Sequence, residues 1–120
     1  MKLAVIVGPY RAETDAQVHD NIQAARKVAE AVWKKGYAVI CPHLNSAFMS
    51  GVVDEKQFLE AGLEFVRRAD IVVVATGIGW NVSDGTQAEI CLASELSKPT
   101  FIPENVPEAT KEKPCRTKLK

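Results

Sequence analysis

The sequence predicts a small α/β domain whose parallel sheet is covered on both faces. Three observations carry this. Short continuous apolar runs recur at residues 3–7 and 71–75, amphipathic helical segments separate the strands, and each helix opens on a capping signal and closes at Gly, Asp or Pro. Chains that alternate strand and helix with short connections need right-handed crossovers, which place the strands parallel.

Residues 3–7, Leu-Ala-Val-Ile-Val, run into Gly8-Pro9 and read as a first strand buried on both faces. Thr14 with Gln17 makes a capping box, after which Val18, Ile22, Ala25, Ala29, Val32 and Trp33 recur at helical spacing until Gly36 closes the helix. Residues 37–41 are the second strand, and residues 43–53 read as a loop because their Asn, Ser and Gly follow no period. A second capping pair, Asp54 and Gln57, opens a helix with Leu59, Leu63 and Val66 on one face, ending at Asp70. Residues 71–75 are the third strand. A glycine-rich connection from Gly77 to Gly85 leads to a third capping pair, Asp84 and Gln87, and a helix over 85–97; Lys98-Pro99 breaks it, and residues 100–102 form the fourth strand.

The expected product is a flavodoxin-like or Rossmann-like three-layer sandwich with a parallel sheet of four to five strands. The domain spans residues 1–103, and residues 104–120, rich in Lys, Glu and Pro, form an irregular tail. In such sheets ligands bind beyond the strand C-termini, where strand order reverses. That edge carries Gly8-Pro9-Tyr10, Pro42-His43 and the 77–85 loop.

Fifteen basic residues balance fifteen acidic ones, so no global field favours a nucleic-acid polymer or an anionic membrane. The apolar runs are far shorter than the roughly 20 residues a spanning helix needs, and no signal-peptide pattern leads the chain; the expected location is cytoplasmic. Cys41, Cys91 and Cys115 are widely spaced, without the pairing that suggests zinc or redox work, and Cys41 and Cys91 read as small core residues.

One residue is out of place. On a helical wheel Glu89 shares a face with Gly85, Leu92, Ala93 and Leu96. Burying an unpaired carboxylate costs several kcal/mol or raises its pKa, so such a residue calls for a partner or a task. Reaching out to solvent and pairing with a buried cation are the bland alternatives. Beside it, residues 83–86 put Ser83, Asp84 and Gly85 at a helix N-terminus, an arrangement that suits a phosphate or sugar hydroxyl and equally describes a well-capped helix. Gly77, Gly79 and Gly85 do not form a dinucleotide fingerprint, and no phosphate-loop lysine follows.

Taken together, Gly8-Pro9-Tyr10, Asn21, Pro42-His43, Ala69-Asp70 and the Ser83-x-Gly85-x-x-x-Glu89 element resemble the nucleoside 2-deoxyribosyltransferase-like superfamily. Within it the chain is similar to an uncharacterised bacterial and phage branch with a Trp-x-x-Ser-x-Gly-x-x-x-Glu signature, matched here from Trp80. The resemblance covers residues 3–102. It implies a flavodoxin-like fold, a homo-oligomer (dimer or higher), and action on N-glycosidic bonds of nucleosides or nucleotides. It also implies that Glu89 is the nucleophile on the anomeric carbon, forming a glycosyl-enzyme that passes to another base or to water. Ser83 matches a phosphate-contacting serine of the nucleotide hydrolase relatives. The position aligned with an aspartate that handles the leaving base is Gly62, so leaving-group protonation would fall to Asp84 or His43.

Around Glu89 the expected substrate-binding residues are Gly8, Tyr10, Asn21, His43, Trp80, Ser83, Asp84 and Gly85. Tyr10 and Trp80 are read either as stacking platforms for a base or as loop anchors and oligomer contacts. His43 is either a hydrogen-bond donor to the ligand or a structural residue. Asn21 either holds the first strand's loop or touches a sugar hydroxyl. His19 reads as an exposed helix residue, and Asp70 as an anchor for the turn into the third strand. The expected function is a nucleoside or nucleotide N-glycosidic-bond enzyme, hydrolase or deoxyribosyltransferase, working without metal or cofactor; the alternative is a non-catalytic nucleotide-binding or sensing module of the same fold.

Overall fold

The computed structural model describes residues 1–77 and 79–110. Its strands are β1 (Leu3–Val7), β2 (Ala38–Ile40), β3 (Ile71–Val74) and β4 (Thr100–Phe101). Its helices are α1 (Asp15–Lys34), α2 (Pro42–Asn45), α3 (Glu55–Arg68) and α4 (Asp84–Glu95), followed by a 3₁₀ turn at Pro103–Asn105. All strand pairs are parallel in the order β2-β1-β3-β4, with Val5 opposite Ile40 on one side and Val72 on the other. This is the flavodoxin-like order, and it reverses between β1 and β3.

The period-2 alternation of the strands divides the core in two. Ala4, Ile6, Ile71, Val73 and Ala75 point to one face, where α1 lays down Ala25, Ala29 and Val32. Val5, Val7, Val72 and Val74 point to the other, where Val66 from α3 and Ala93 from α4 close over them. Because β1 and β3 are central and covered twice, they read as continuous apolar runs in the sequence.

Thr14 accepts from the Gln17 N–H at 3.1 Å and Gln17 reaches back to the Thr14 N–H at 3.2 Å, so the first capping box is complete. Gly36 ends α1 with φ of +94°, a backbone state that favours glycine. Asp54 caps α3 through the Gln57 N–H. Asp70 anchors the turn into β3: its carboxylate accepts from the Leu3 N–H at 2.7 Å and its own N–H donates to the Leu3 carbonyl at 2.7 Å.

Several sequence expectations are corrected. The 43–53 segment is not loop throughout, since α2 opens it with Pro42 at the first helical position. The cap of α4 is Ser83, not Asp84, because Ser83 Oγ accepts from both the Thr86 N–H and the Thr86 hydroxyl. Cys91 is exposed while Cys41 is buried, since Cys91 lies on the outer side of α4. Trp33 is 55% exposed, lying over a shallow groove with Val39, Ile40 and Leu44 beside edge strand β2 instead of within the core.

Residues 106–110 carry no regular secondary structure, yet they dock on the domain. Val106 is buried against the α1 face, Tyr37 donates its hydroxyl hydrogen to the Pro107 carbonyl at 3.0 Å, and the Ala109 N–H donates to the Lys35 carbonyl. Val106 and Ala109 both pack on the core cluster of that face, and the segment's backbone groups also find partners. Cys115 and the Lys-rich end lie outside the described residues. Among the described residues no helix is long and apolar enough to cross a membrane.

Candidate functional site

A cleft of about 1290 Å³ opens at the C-terminal edge of the sheet, between the β1–α1 connection, α2 and the N-terminal halves of α3 and α4. It is wide enough for a nucleoside-sized ligand. Its floor is set by Gly8, where a side chain would be crowded: an added Cβ would lie 3.0 Å from the Ala75 Cβ and 3.1 Å from the Ala75 carbonyl oxygen. The ends of β1 and β3 therefore approach closely where strand order reverses.

Glu89 lies on the cleft wall in the second turn of α4, as the wheel predicts. Across from it is Gly62 of α3, and an added Cβ there would lie 3.4 Å from Glu89 Oε2. Gly62 faces the carboxylate without a side chain to pair with it. Glu89 has no hydrogen-bond or ion-pair partner among the described residues, and burial pushes its pKa up from 4.5 to about 7. The native state therefore holds a proton on Glu89 in a pH range where the unfolded chain has released it. Stability falls as pH rises from about 4.5 to about 7 and then levels off, with this side chain costing on the order of 3 kcal/mol at the plateau. Urea unfolding midpoints measured from pH 4.5 to 8 check this, because Glu89→Gln is expected to remove that part of the slope.

The remaining residues divide between ligand wall and scaffold. His43 is 5% exposed, and its Nε2–H is shared between the Gly8 and Pro9 carbonyls at 3.1 and 2.9 Å. That leaves Nδ1 as an unprotonated acceptor, buried without a partner among the described residues, and burial lowers the ring's pKa. His43 thus clamps the β1 turn and also lines the cleft. Asn21 also lines the cleft and donates from Nδ2 to the Tyr10 carbonyl at 3.1 Å, holding the β1–α1 connection.

The Tyr10 ring is tilted against His43 with centroids 5.8 Å apart, and Tyr10 lines the cleft with Ser83, Asp84 and Gly85. Gly85 lies against α3, where an added Cβ would meet the Leu59 side chain at 3.4 Å. Trp80 does not line the cleft. It packs against the buried cluster of Val5, Val7 and Val72 on the α3/α4 face, while its carbonyl accepts from Gln87. The indole covers apolar area of that face.

Sequence reasoning missed three parts of the wall. Arg11 ion-pairs with Glu55 across the cleft mouth, linking the β1–α1 connection to the start of α3. Glu13 and Asp20 add carboxylates from the α1 side, and Phe58, Leu59 and Leu63 supply an apolar strip. The apolar strip was legible in principle, because α3 carries more apolar residues than its contact with the sheet uses. The Arg11–Glu55 pair has no local signal. Among the described residues, no group of three or more His, Cys, Asp or Glu side chains is placed to hold a metal ion.

A family model described as a domain of unknown function, DUF7768, matches residues 2–102. A solved 2-deoxyribosyltransferase from the psychrotolerant bacterium Bacillus psychrosaccharolyticus superposes with a TM-score of 0.60 at 19% identity, covering 83% of this chain and 70% of that one. A conserved protein from Enterococcus faecalis V583 superposes with a TM-score of 0.59 at 22% identity over 85% of this chain, which spans 62% of that protein's length. No curated protein matches the chain. At such identities the likeness shows a shared α/β fold.

Proposed function

Because the chain belongs to the DUF7768 family, a domain of unknown function, its chemistry must be read from its own cleft, and we propose that it breaks N-glycosidic bonds of nucleosides or nucleotides with Glu89 as nucleophile. The observation that carries this is the unpartnered Glu89 carboxylate on the wall of a ligand-sized cleft. The fold shared with a 2-deoxyribosyltransferase supports the substrate class.

In this reading the sugar lies between Glu89 and the 83–86 turn, where Ser83 caps the Thr86 N–H and the Asp84 and Gly85 N–H groups of α4 can meet a hydroxyl. Tyr10 and the strip of Phe58 and Leu63 offer the base an apolar surface. Glu89 attacks the anomeric carbon as the C–N bond breaks through an oxocarbenium-like transition state; a second nucleophile then displaces the ester with retention. Water makes the protein a hydrolase and a second base makes it a transferase. The nucleophile must be ionised, so kcat/KM should rise with pH through about 7 and then flatten. A pH–rate profile without that limb would contradict the role.

The direct assay is base release from a panel of ribo- and deoxyribonucleosides and their monophosphates, with wild type and Glu89→Ala side by side. Release that disappears in the variant supports the enzyme reading. The alternative, a non-catalytic binding module, draws on Gly62, which stands where the resembled family carries an acid. It predicts ligands that raise the melting temperature without turnover, equally in Glu89→Gln. A homo-oligomer remains part of the proposal, supported by Phe48, Met49 and Val52, which stand exposed beside the cleft.

A further inference from the structure

A neutral base leaves its sugar poorly unless it is protonated as the bond breaks, and a positioned acid contributes roughly 10²–10⁴-fold to such a step. The described residues supply no buried acid for it. Opposite Glu89 stands Gly62, with no side chain to offer. The one ring N–H of His43 is held by the Gly8 and Pro9 carbonyls. The other carboxylates of the wall, Glu13, Asp20, Glu55 and Asp84, are all exposed.

The same wall has a marked charge. Those four carboxylates and Glu89 face the single guanidinium of Arg11, which is paired with Glu55. A cleft lined by one sign concentrates ligands of the other sign. Asp84 sits in the first turn of α4, where it opposes a phosphate at that helix end.

Resting on the reading of Glu89 as nucleophile, we propose that the preferred substrates are unphosphorylated N-glycosides whose base already carries a positive charge on its ring, of the N-glycosyl pyridinium type. The need for an acid then disappears. A Glu89 oxygen forms a bond to the anomeric carbon, the C–N bond breaks, and its electron pair cancels the ring charge, so the base departs neutral without taking up a proton. Water then attacks the anomeric carbon, the ester C–O bond breaks with its pair returning to Glu89, and the water's surplus proton goes to solvent. The cation also assists the nucleophile, because a positive charge beside Glu89 favours its ionised form, which burial alone opposes.

The test compares base release from nicotinamide riboside with release from uridine, inosine and their deoxy forms, and from nicotinamide riboside 5′-monophosphate, subtracting the rate with Glu89→Gln. The expected result is a kcat/KM for nicotinamide riboside roughly 100-fold above that of the neutral nucleosides and above that of its monophosphate. Glu89-dependent release that is equal or faster from neutral or phosphorylated compounds would overturn this inference and leave the N-glycosidase reading standing. No Glu89-dependent release from any compound would overturn both. Gly62→Asp, checked for native circular dichroism, restores a carboxyl beside Glu89 and should narrow the ratio. An unchanged ratio in the folded variant would contradict the leaving-group argument, and if the variant does not fold the wild-type ratio decides.

Discussion

Glu89→Gln is expected to lower base release by about 10³-fold or more while the protein becomes more stable at alkaline pH. The loss follows from removing the group that forms the covalent bond, which no neighbour among the described residues can replace. The gain follows from the same side chain's isolation. An ionised carboxylate that is buried and unpartnered costs the native state free energy, and an amide of equal shape does not bear that charge. The amide still needs hydrogen bonds it does not find, so the net gain at pH 8 should be about 1–2 kcal/mol. Urea midpoints give the stability and a base-release assay gives the turnover. Opposite changes in the two identify a residue kept for chemistry at a cost to the fold, whereas a stability loss would mark Glu89 as a structural residue.

His43→Ala is expected to have the largest effect on stability, about 2–4 kcal/mol. The ring is nearly fully buried, and its Nε2–H satisfies two carbonyls at the Gly8–Pro9 turn. Deleting it leaves both a cavity and two acceptors that water reaches poorly. The turn carries Tyr10, so turnover should fall with stability even in protein that is still folded. His43→Gln, which keeps a donor, should recover part of both. If His43→Ala instead abolished turnover with no change in midpoint, the ring would belong to the chemistry and not to the scaffold.

What could be read from the sequence follows from how local each determinant is. β1 and β3 are legible because both faces are covered, which forces an uninterrupted apolar run. Thr14 and Gln17 are legible because a capping box is a contact three residues long. The same logic misplaced the cap of α4: Asp84 and Gln87 have the right spacing, but Ser83 precedes them and makes the bond to Thr86 first. Glu89 stood out because a helical wheel is a local construction.

Features that depend on packing between distant segments were not legible. Nothing near Trp80 says whether its indole turns to the cleft or to the α3/α4 face; the apolar area left over there decides it. Nothing near Val106 says that its segment docks on α1, because Lys35, which donates to the Val106 carbonyl, and Tyr37, which donates to the Pro107 carbonyl, lie about seventy residues away. The space beside Glu89 is likewise a property of two helices. Gly62 reads in sequence as a missing acid, and only the packing of α3 on α4 shows that it faces the Glu89 carboxylate.

The most direct measurement is mass spectrometry of the protein after incubation with a slowly turned-over 2′-fluoro-2′-deoxyarabinosyl nicotinamide, whose fluorine delays hydrolysis of a glycosyl-enzyme. The account predicts a mass increase equal to one fluorinated sugar, mapped to the peptide that contains Glu89 and absent in Glu89→Gln. Base release that proceeds with no adduct, and persists in Glu89→Gln, would contradict it.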